Sequence, residues 1–552
     1  MNDNIKPNGN FTIKTFKDIK TALISNVPLF VLLSVLIIVL YGNGLSGQFL
    51  SADDVPGIVN NPRVQDLPAS LATWELEAIY PAVLYKLFGM NPLPFHLVST
   101  LLHIVNTILV FIFIFVILDK KTATISAFLF AAHPVNSEAV LWISAYGYLI
   151  LTLLALLIMI SYALYRYNGD KRYLYTAVTV FILGLIFYRK PWILVVPVMT
   201  FLVEQFFIES KLNLKTIKQH LLFAIPAVIY VAVWLVGQYA FRISSLETLY
   251  YVNQEDQAPY INRIFYTGYM TAKLLLFPKD LTIYHEGEVV SSIAFFTIIT
   301  GAISFLIAGL SIIFIIKSYK REGWKNLRYI GTSIILIYVT ILFSFSPKVL
   351  VWSSAERYLY PAAVFFAIIV SIILIKLDHK YKNLGLLFGL ILVLYSIKTF
   401  TRTNDWKNSK NLWIATQKVS PYSYRVYNNL GDIYASEGNY PEAIRNFQLS
   451  LQLSPGFADA VHNLGFTYYQ MGNIELAIYY LNQSLIMNPM LYQSHYKLGV
   501  IEYQLKNFDN ARAHFRKALE IKSDYGPVIN ALMVMDQNNL SGNNTSVSAP
   551  GN

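Results

Sequence analysis

Two adjacent carboxylates, Asp53 and Asp54, follow the first long apolar segment of the chain, Asn26–Tyr41. Acids placed where a helix leaves lipid sit at the water interface, where ionisation costs little. There they can meet a lipid-borne phosphate or the hydroxyl that attacks it. Three further polar islands interrupt the apolar chain. One runs from Phe130 to Val140 and carries His133 and Glu138, a second runs from Phe277 to His285 and carries Tyr284, and a third runs from Ala355 to Pro361 and carries Glu356, Arg357 and Tyr358. A carboxylate can deprotonate an acceptor hydroxyl, and Arg357 and Lys190 can hold the phosphate of a lipid-linked leaving group. A divalent cation, Mg²⁺ or Mn²⁺, carried by Asp53 and Asp54 would serve the same end. The catalytic candidates are therefore Asp53 and Asp54. His133, Glu138, Lys190, Tyr284, His285, Glu356, Arg357 and Tyr358 are candidates for holding donor phosphate or acceptor. Plain structural roles compete with these. Paired acids can merely solvate a loop, His133 before Pro134 can cap a helix, and Arg189-Lys190 can anchor one. Glu356-Arg357 can be a structural ion pair, and His96 and His103 read as helix-packing residues.

The elements that must position these residues are membrane spans. The 552 residues are 55% hydrophobic and only 14% charged, which marks a polytopic membrane protein with an attached polar domain. The absence of cysteine excludes disulfides, thiolate metal sites and a cysteine nucleophile. The formal charge of +11 lies in short basic blocks between apolar stretches, which fixes orientation in a bilayer and points to no nucleic-acid partner. No small-residue cleavage site follows the first span, so it reads as a retained anchor.

Eleven spans are expected, near 26–41, 94–118, 122–132, 147–165, 173–188, 192–208, 221–241, 292–316, 329–346, 359–377 and 384–400. The loop to about Asn91 holds two amphipathic candidates, Leu67–Leu76 and Ala78–Phe88, and Ile264–Phe277 reads as interfacial or re-entrant. With the N-terminus cytoplasmic, every dense basic block falls on one side, and the four polar islands fall on the other. An odd count sends the C-terminal domain to that outer face.

From Ser423 the chain repeats with a period of 34, seen at Gly431, Gly465 and Gly499 and again at Ala443, Ala477 and Ala511. Pro421, Pro455 and Pro489 close the units, and the pattern matches a tetratricopeptide array of paired helices. The expected organisation is all-α. A membrane domain spans 1–404 with outer loops 42–93 and 242–291, and a connecting helix (a degenerate half-repeat) spans 405–422. The array spans 423–536 with a capping helix at Tyr525–Met535, and the tail 537–552 is disordered.

The polar motifs together resemble the transmembrane and tetratricopeptide-repeat O-mannosyltransferases and their bacterial relatives, within the GT-C glycosyltransferases. The resemblance covers nearly the whole chain. It rests on Asp53-Asp54 with Asn60-Asn61, on Pro94-Phe95-His96-Leu97, on the stretch from His133 to Val140, and on the run ending at Tyr284. Ala355–Pro361 and Asn404–Trp406 complete it. It implies a polyprenyl-phosphate sugar donor, transfer with inversion on the outer face, and an aspartate in the first outer loop as base or metal ligand. Where relatives carry Arg-Pro, this chain has Tyr80-Pro81. Where they carry Gly-Arg-x-Asp it has Ala145-Tyr146-Gly147-Tyr148, and where they carry Lys-Glu it has Lys190-Pro191. The expected function is sugar transfer, possible donors including mannose carriers, from a polyprenyl-phosphate donor to a protein or envelope-glycan acceptor recruited by the repeats. The alternative is a non-catalytic, membrane-anchored tetratricopeptide scaffold for envelope proteins. A bacterial cytoplasmic membrane is expected ahead of the endoplasmic reticulum.

Overall fold

The computed structural model describes residues 13–208, 214–234, 260–283, 285, 295–318, 321–345, 354–378, 384–523 and 525–543. Among them every regular element is a helix, as the apolar runs and the repeat period require. The chain forms two compact units, 1–415 and 416–552.

Among the described residues of the first unit, eight helices are long and apolar enough to cross a membrane, including Val27–Ser46, Pro92–Ile117, Ile143–Asn168, Glu356–Asp378 and Gly385–Arg402. All eight coincide with expected spans. The other three expected spans form shorter helices: Lys120–Ala132, Val195–Phe206 and Lys325–Thr340. Thirteen helical residues reach only about 20 Å, short of the ~30 Å hydrocarbon core. The Lys120–Ala132 helix packs on the Val27–Tyr41, Pro92–Ile117, Tyr360–Asp378 and Leu384–Arg402 helices, so its neighbours rather than lipid set its length. The expected interfacial segment is a continuous helix, Tyr260–Leu276, lying against Phe295–Ser318, with Ser304 Oγ donating to the Gly268 carbonyl at 3.2 Å. Most of the expected outer loop 242–291 before this helix, the residues 286–291 after it, and the loop ends 346–353 lie outside the described residues.

Helix starts follow local chemistry. The Asn91 side chain accepts from the Leu93 N–H at 3.1 Å with Pro92 opening the helix, and Asp119 accepts from the Thr122 N–H at 2.9 Å. Val27–Tyr41 buries Phe30, Leu33 and Ile37 on one face and leaves Val31, Val35, Ile38 and Val39 exposed. An apolar surface of that extent on a helix of span length fits contact with lipid. Some polar groups inside the bundle pair across helices, as in Ser126 with Ser371 at 2.7 Å and the Asn106 amide donating to the Leu149 carbonyl at 2.9 Å. The loop between the first two spans folds into short helices, of which Leu67–Ala72 and Leu76–Phe88 match the two amphipathic candidates.

The second unit stacks three helix pairs: Tyr424–Ser436 with Tyr440–Leu453, Ala458–Gln470 with Ile474–Met487, and Tyr492–Gln504 with Phe508–Ile521. Ala443, Ala477 and Ala511 are fully buried between paired helices, beside Phe447, Leu481 and Phe515. Contact there is so close that a Cβ on Gly431 would lie 2.6 Å from Phe447 Cε1. Gly431→Ala should therefore destabilise the array by about 1–3 kcal/mol, read as faster amide exchange in the first pair of the full-length protein. Unchanged exchange would mean that the ring moves aside at no cost. The connecting helix is Ser409–Val419, and the capping helix runs Gly526–Asn543. The expected tail is thus corrected over 537–543, which is helical. A helix anchored by the buried Val528 and Met535 propagates one hydrogen bond per residue into Asn- and Ser-rich sequence. Residues 544–552 lie outside the described residues.

Candidate active site

The loop that carries the two aspartates is pinned on both sides. Gly44 allows it to approach the Ser137–Leu141 helix, where a Cβ would meet Leu141 Cδ2 at 2.3 Å. The Gln48 N–H donates to the Lys407 carbonyl at 2.8 Å, the Ser51 N–H to Ser409 Oγ at 2.8 Å, and Trp413 Nε1 to Ser51 Oγ at 3.1 Å. These bonds fix the backbone on which Asp53 and Asp54 stand.

The two acids then diverge. Asp54 is fully buried: Oδ2 accepts from the Leu50 N–H at 3.0 Å, and Oδ1 from the Ser144 N–H at 2.9 Å and its hydroxyl at 2.5 Å. Burial pushes its carboxyl up to about 6, against the pull of Ser144 and Leu50, with the Asp53 charge adding to the rise. Asp53 is exposed and, among the described residues, makes no side-chain bond of this kind. Protein nevertheless crowds it enough for lost hydration to raise its carboxyl, while the nearby Arg357 charge opposes that rise. One acid ties the loop to the Ile143–Ala145 turn, and the other is open to a ligand.

The raised Asp54 carboxyl has a consequence for stability. Between about pH 4 and pH 6 the folded protein binds this proton more tightly than the unfolded chain. Its contribution to stability therefore falls as pH rises through that window and is constant above it. In Asp54→Asn the unfolding midpoint should lose that downward slope, by a few degrees across the window. An identical slope in both proteins would refute the assignment.

Arg357 is buried beneath this loop. Glu138, fully buried, accepts from the Arg357 backbone N–H at 2.9 Å and, through its other oxygen, from the guanidinium. Burial raises the Glu138 carboxyl and the Arg357 charge opposes it. The guanidinium lies 4.9 Å from the Trp142 ring centre and 5.0 Å from that of Tyr358. Tyr358 in turn packs on Trp192 at 5.4 Å and Tyr148 at 5.6 Å, so an aromatic wall flanks the guanidinium. Tyr80 and Tyr146 form a second such contact, with ring centres 4.3 Å apart.

The remaining candidates are mostly engaged by protein. Glu356 accepts from Arg402 at 2.9 Å and from the Thr282 N–H, with His285 Nε2 at 3.7 Å. Lys190 pairs with Glu77 at 2.6 Å, and Arg189 with Glu75 at 3.0 Å. His133 is buried. Its Nδ1 accepts from the Val135 N–H, so Nε2 carries the proton given to the Leu275 carbonyl at 3.1 Å. Burial lowers its imidazole to about 4, so the ring is neutral at pH 7. His103 is also a packing residue, bonded to the Tyr360 hydroxyl at 2.8 Å and the Ala131 carbonyl at 3.2 Å. Tyr284 lies outside the described residues.

Ser144, Arg402 and Glu77 were not among the residues expected from sequence. Arg402 ends the last span, where a cation ordinarily reads as an interface anchor, and Ser144 and Glu77 carry no motif that marks their partners. Among the described residues no group of three or more His, Asp or Glu is placed to hold a metal. Asp54 accepts from three protein donors, which leaves Asp53 the less engaged carboxylate of the pair.

Comparison with known proteins extends this picture. Family models for the TPR repeat match residues 431–472, and for the tetratricopeptide repeat residues 463–526. Protein O-mannosyl-transferase F38B6.6 of Caenorhabditis elegans is 23% identical over 76% of this chain and 62% of its own length. Protein O-mannosyl-transferase TMTC3 of Homo sapiens is 24% identical over 67% of this chain and 43% of its own length. The chain thus spans between about two fifths and three fifths of these relatives. Among solved structures, yeast Tom70 aligns at 10% identity over 82% of this chain and 97% of that one, with a TM-score of 0.23 too low to bear on either unit. An alignment over 76% of the chain must extend well beyond the repeat unit into the membrane helices. By its repeats and by that wider similarity, the chain is related to the protein O-mannosyl-transferases.

Proposed function

We propose that this chain is a membrane glycosyltransferase that moves a sugar from a polyprenyl-phosphate carrier to a hydroxyl of a protein or envelope glycan. The relatives' names make mannose the first sugar to test. The observation that carries the reading is the division of labour in the aspartate pair: Asp54 is locked, and Asp53 is left open beside the charge of Arg357. Asp53 takes the proton of the acceptor hydroxyl as its oxygen attacks the anomeric carbon. The bond from that carbon to the phosphate oxygen breaks with its electron pair, and the sugar inverts. Arg357, aimed by Glu138 and with further N–H groups to give, neutralises the departing phosphate. A Mg²⁺ or Mn²⁺ held between Asp53 and the phosphate would add to that neutralisation. The repeats present the acceptor, on the outer face of a bacterial cytoplasmic membrane.

The scaffold reading has one observation in its favour: Glu138, Lys190, Glu356 and His133 all have protein partners. Purified protein in nanodiscs, given polyprenyl-phosphate and polyprenyl-diphosphate sugars with and without Mg²⁺ or Mn²⁺, separates the two. Release or transfer of sugar supports the enzyme. No release and no donor binding across the panel supports the scaffold.

A further inference from the structure

At the opposite end of the bundle from the basic-poor loops, a cavity of about 540 Å³ opens where the Tyr146–Asn168 helix ends and the Lys171–Leu183 and Leu214–Trp234 helices begin. Its lining has the two halves of a lipid headgroup site. Lys171 and Lys218 supply two exposed cations, and no ion pair is formed by either among the described residues. The buried Gln219 and Tyr165 supply fixed polar groups. Gln219 donates to the Tyr165 hydroxyl at 2.5 Å and accepts from Arg166 at 3.3 Å, so the tyrosine keeps its own proton to donate.

A buried charge cluster holds this polar floor. Glu204 on the Val195–Phe206 helix forms an ion pair with Arg166 at 2.7 Å and accepts from His220 at 2.6 Å and from the Tyr162 hydroxyl at 2.8 Å, which ties that helix to the Tyr146–Asn168 and Leu214–Trp234 helices. The rim is apolar and faces outward: Leu222 and Tyr175 line the cavity while 39% and 58% exposed, and Leu221 and Ile225 continue the surface along the helix. Cations, a hydroxyl donor and an apolar track in continuity fit one ligand class, a phosphate bearing acyl chains.

We propose that this cavity binds the phosphate of an anionic phospholipid of the cytoplasmic leaflet. Lys171 and Lys218 take the charge, Tyr165 donates to a phosphate oxygen, and the acyl chains run along Leu222. The side follows from the sequence, in which the basic blocks Arg166/Lys171/Arg172 and Lys211/Lys215/Lys218 are expected on the cytoplasmic side. This site is separate from the aspartate loop and stands whether or not the chain transfers sugar.

The test is native mass spectrometry of the full-length protein in detergent, with added phosphatidylglycerol, phosphatidylethanolamine or sodium phosphate. Wild type should retain phosphatidylglycerol about tenfold over phosphatidylethanolamine, and Lys171→Ala/Lys218→Ala should lose that preference. The control Lys317→Ala/Lys376→Ala, also exposed lysines of expected cytoplasmic blocks, should keep it. Lys171→Arg/Lys218→Arg, which preserves charge and fold, should keep it too. Equal retention of both lipids by wild type would overturn the proposal, as would an Ala pair indistinguishable from the control. Displacement of phosphatidylglycerol by sodium phosphate at equal concentration would make the occupant a free phosphate and overturn the lipid assignment.

Discussion

Asp53→Asn should lower sugar transfer by about 10²–10⁴-fold, the usual worth of a positioned general base, and change stability by no more than about 0.5 kcal/mol. The asymmetry follows from the loop. Asp53 is exposed and bonds to none of the groups that hold the backbone, so an amide in its place leaves those groups undisturbed. Asp54→Asn is the contrasting change. It puts an N–H₂ group where two backbone N–H groups and a hydroxyl all donate, so its first effect is on the fold of the loop. Turnover at saturating donor, measured beside thermal unfolding, distinguishes them. The wild-type rate should also rise with pH through the raised Asp53 carboxyl and level off above it, because the base acts only when ionised. Near wild-type turnover in Asp53→Asn would remove Asp53 from the mechanism.

Arg357→Ala should destabilise the first unit by about 3–5 kcal/mol, because it strands the fully buried Glu138 carboxylate without its cation. The indole of Trp142 and the ring of Tyr358 lose the flat group packed on them as well. Arg357→Met with Glu138→Gln should recover much of the loss, since two neutral groups of similar volume leave no unpaired charge. Neither protein should transfer sugar. Denaturant or thermal unfolding in detergent reads the effect. A single variant as stable as wild type would mean that Glu138 accepts a proton there at little cost.

The membrane helices and the repeats were legible in the sequence because each is written as a period or a run. Twenty apolar residues have one stable form in lipid, and a 34-residue recurrence of Gly431, Gly465 and Gly499 fixes where helices touch. Helix length within the bundle was less legible. Lys120–Ala132 is apolar like a span, yet it is short because other helices surround it, and that depends on contacts far along the chain.

The candidate residues could be picked out in the sequence, but their partners could not. Asp53 and Asp54 are chemically identical in the sequence. Only the folded positions of Leu50 and Ser144 decide that one is locked and one open. Glu356 and Arg357 are neighbours that invite pairing with each other, yet each pairs with a remote partner, Arg402 and Glu138. Adjacent residues in a turn point apart, so sequence proximity carried no information about partners. Tyr146 and Tyr148 stood out as departures from a resembled motif, and their role as walls packed on Tyr80, Trp192 and Tyr358 emerged only with the fold.

The central claim is that the donor sits between Asp53 and Arg357, and a cryo-electron microscopy structure with a non-transferable polyprenyl-phosphonate sugar tests it most directly. The expected density places a phosphonate oxygen within about 3 Å of an Arg357 nitrogen and the sugar against the Asp53 carboxylate, with Asp54 still bonded to Ser144. Donor density elsewhere on the protein, or Asp53 turned away from a donor bound at Arg357, would contradict it.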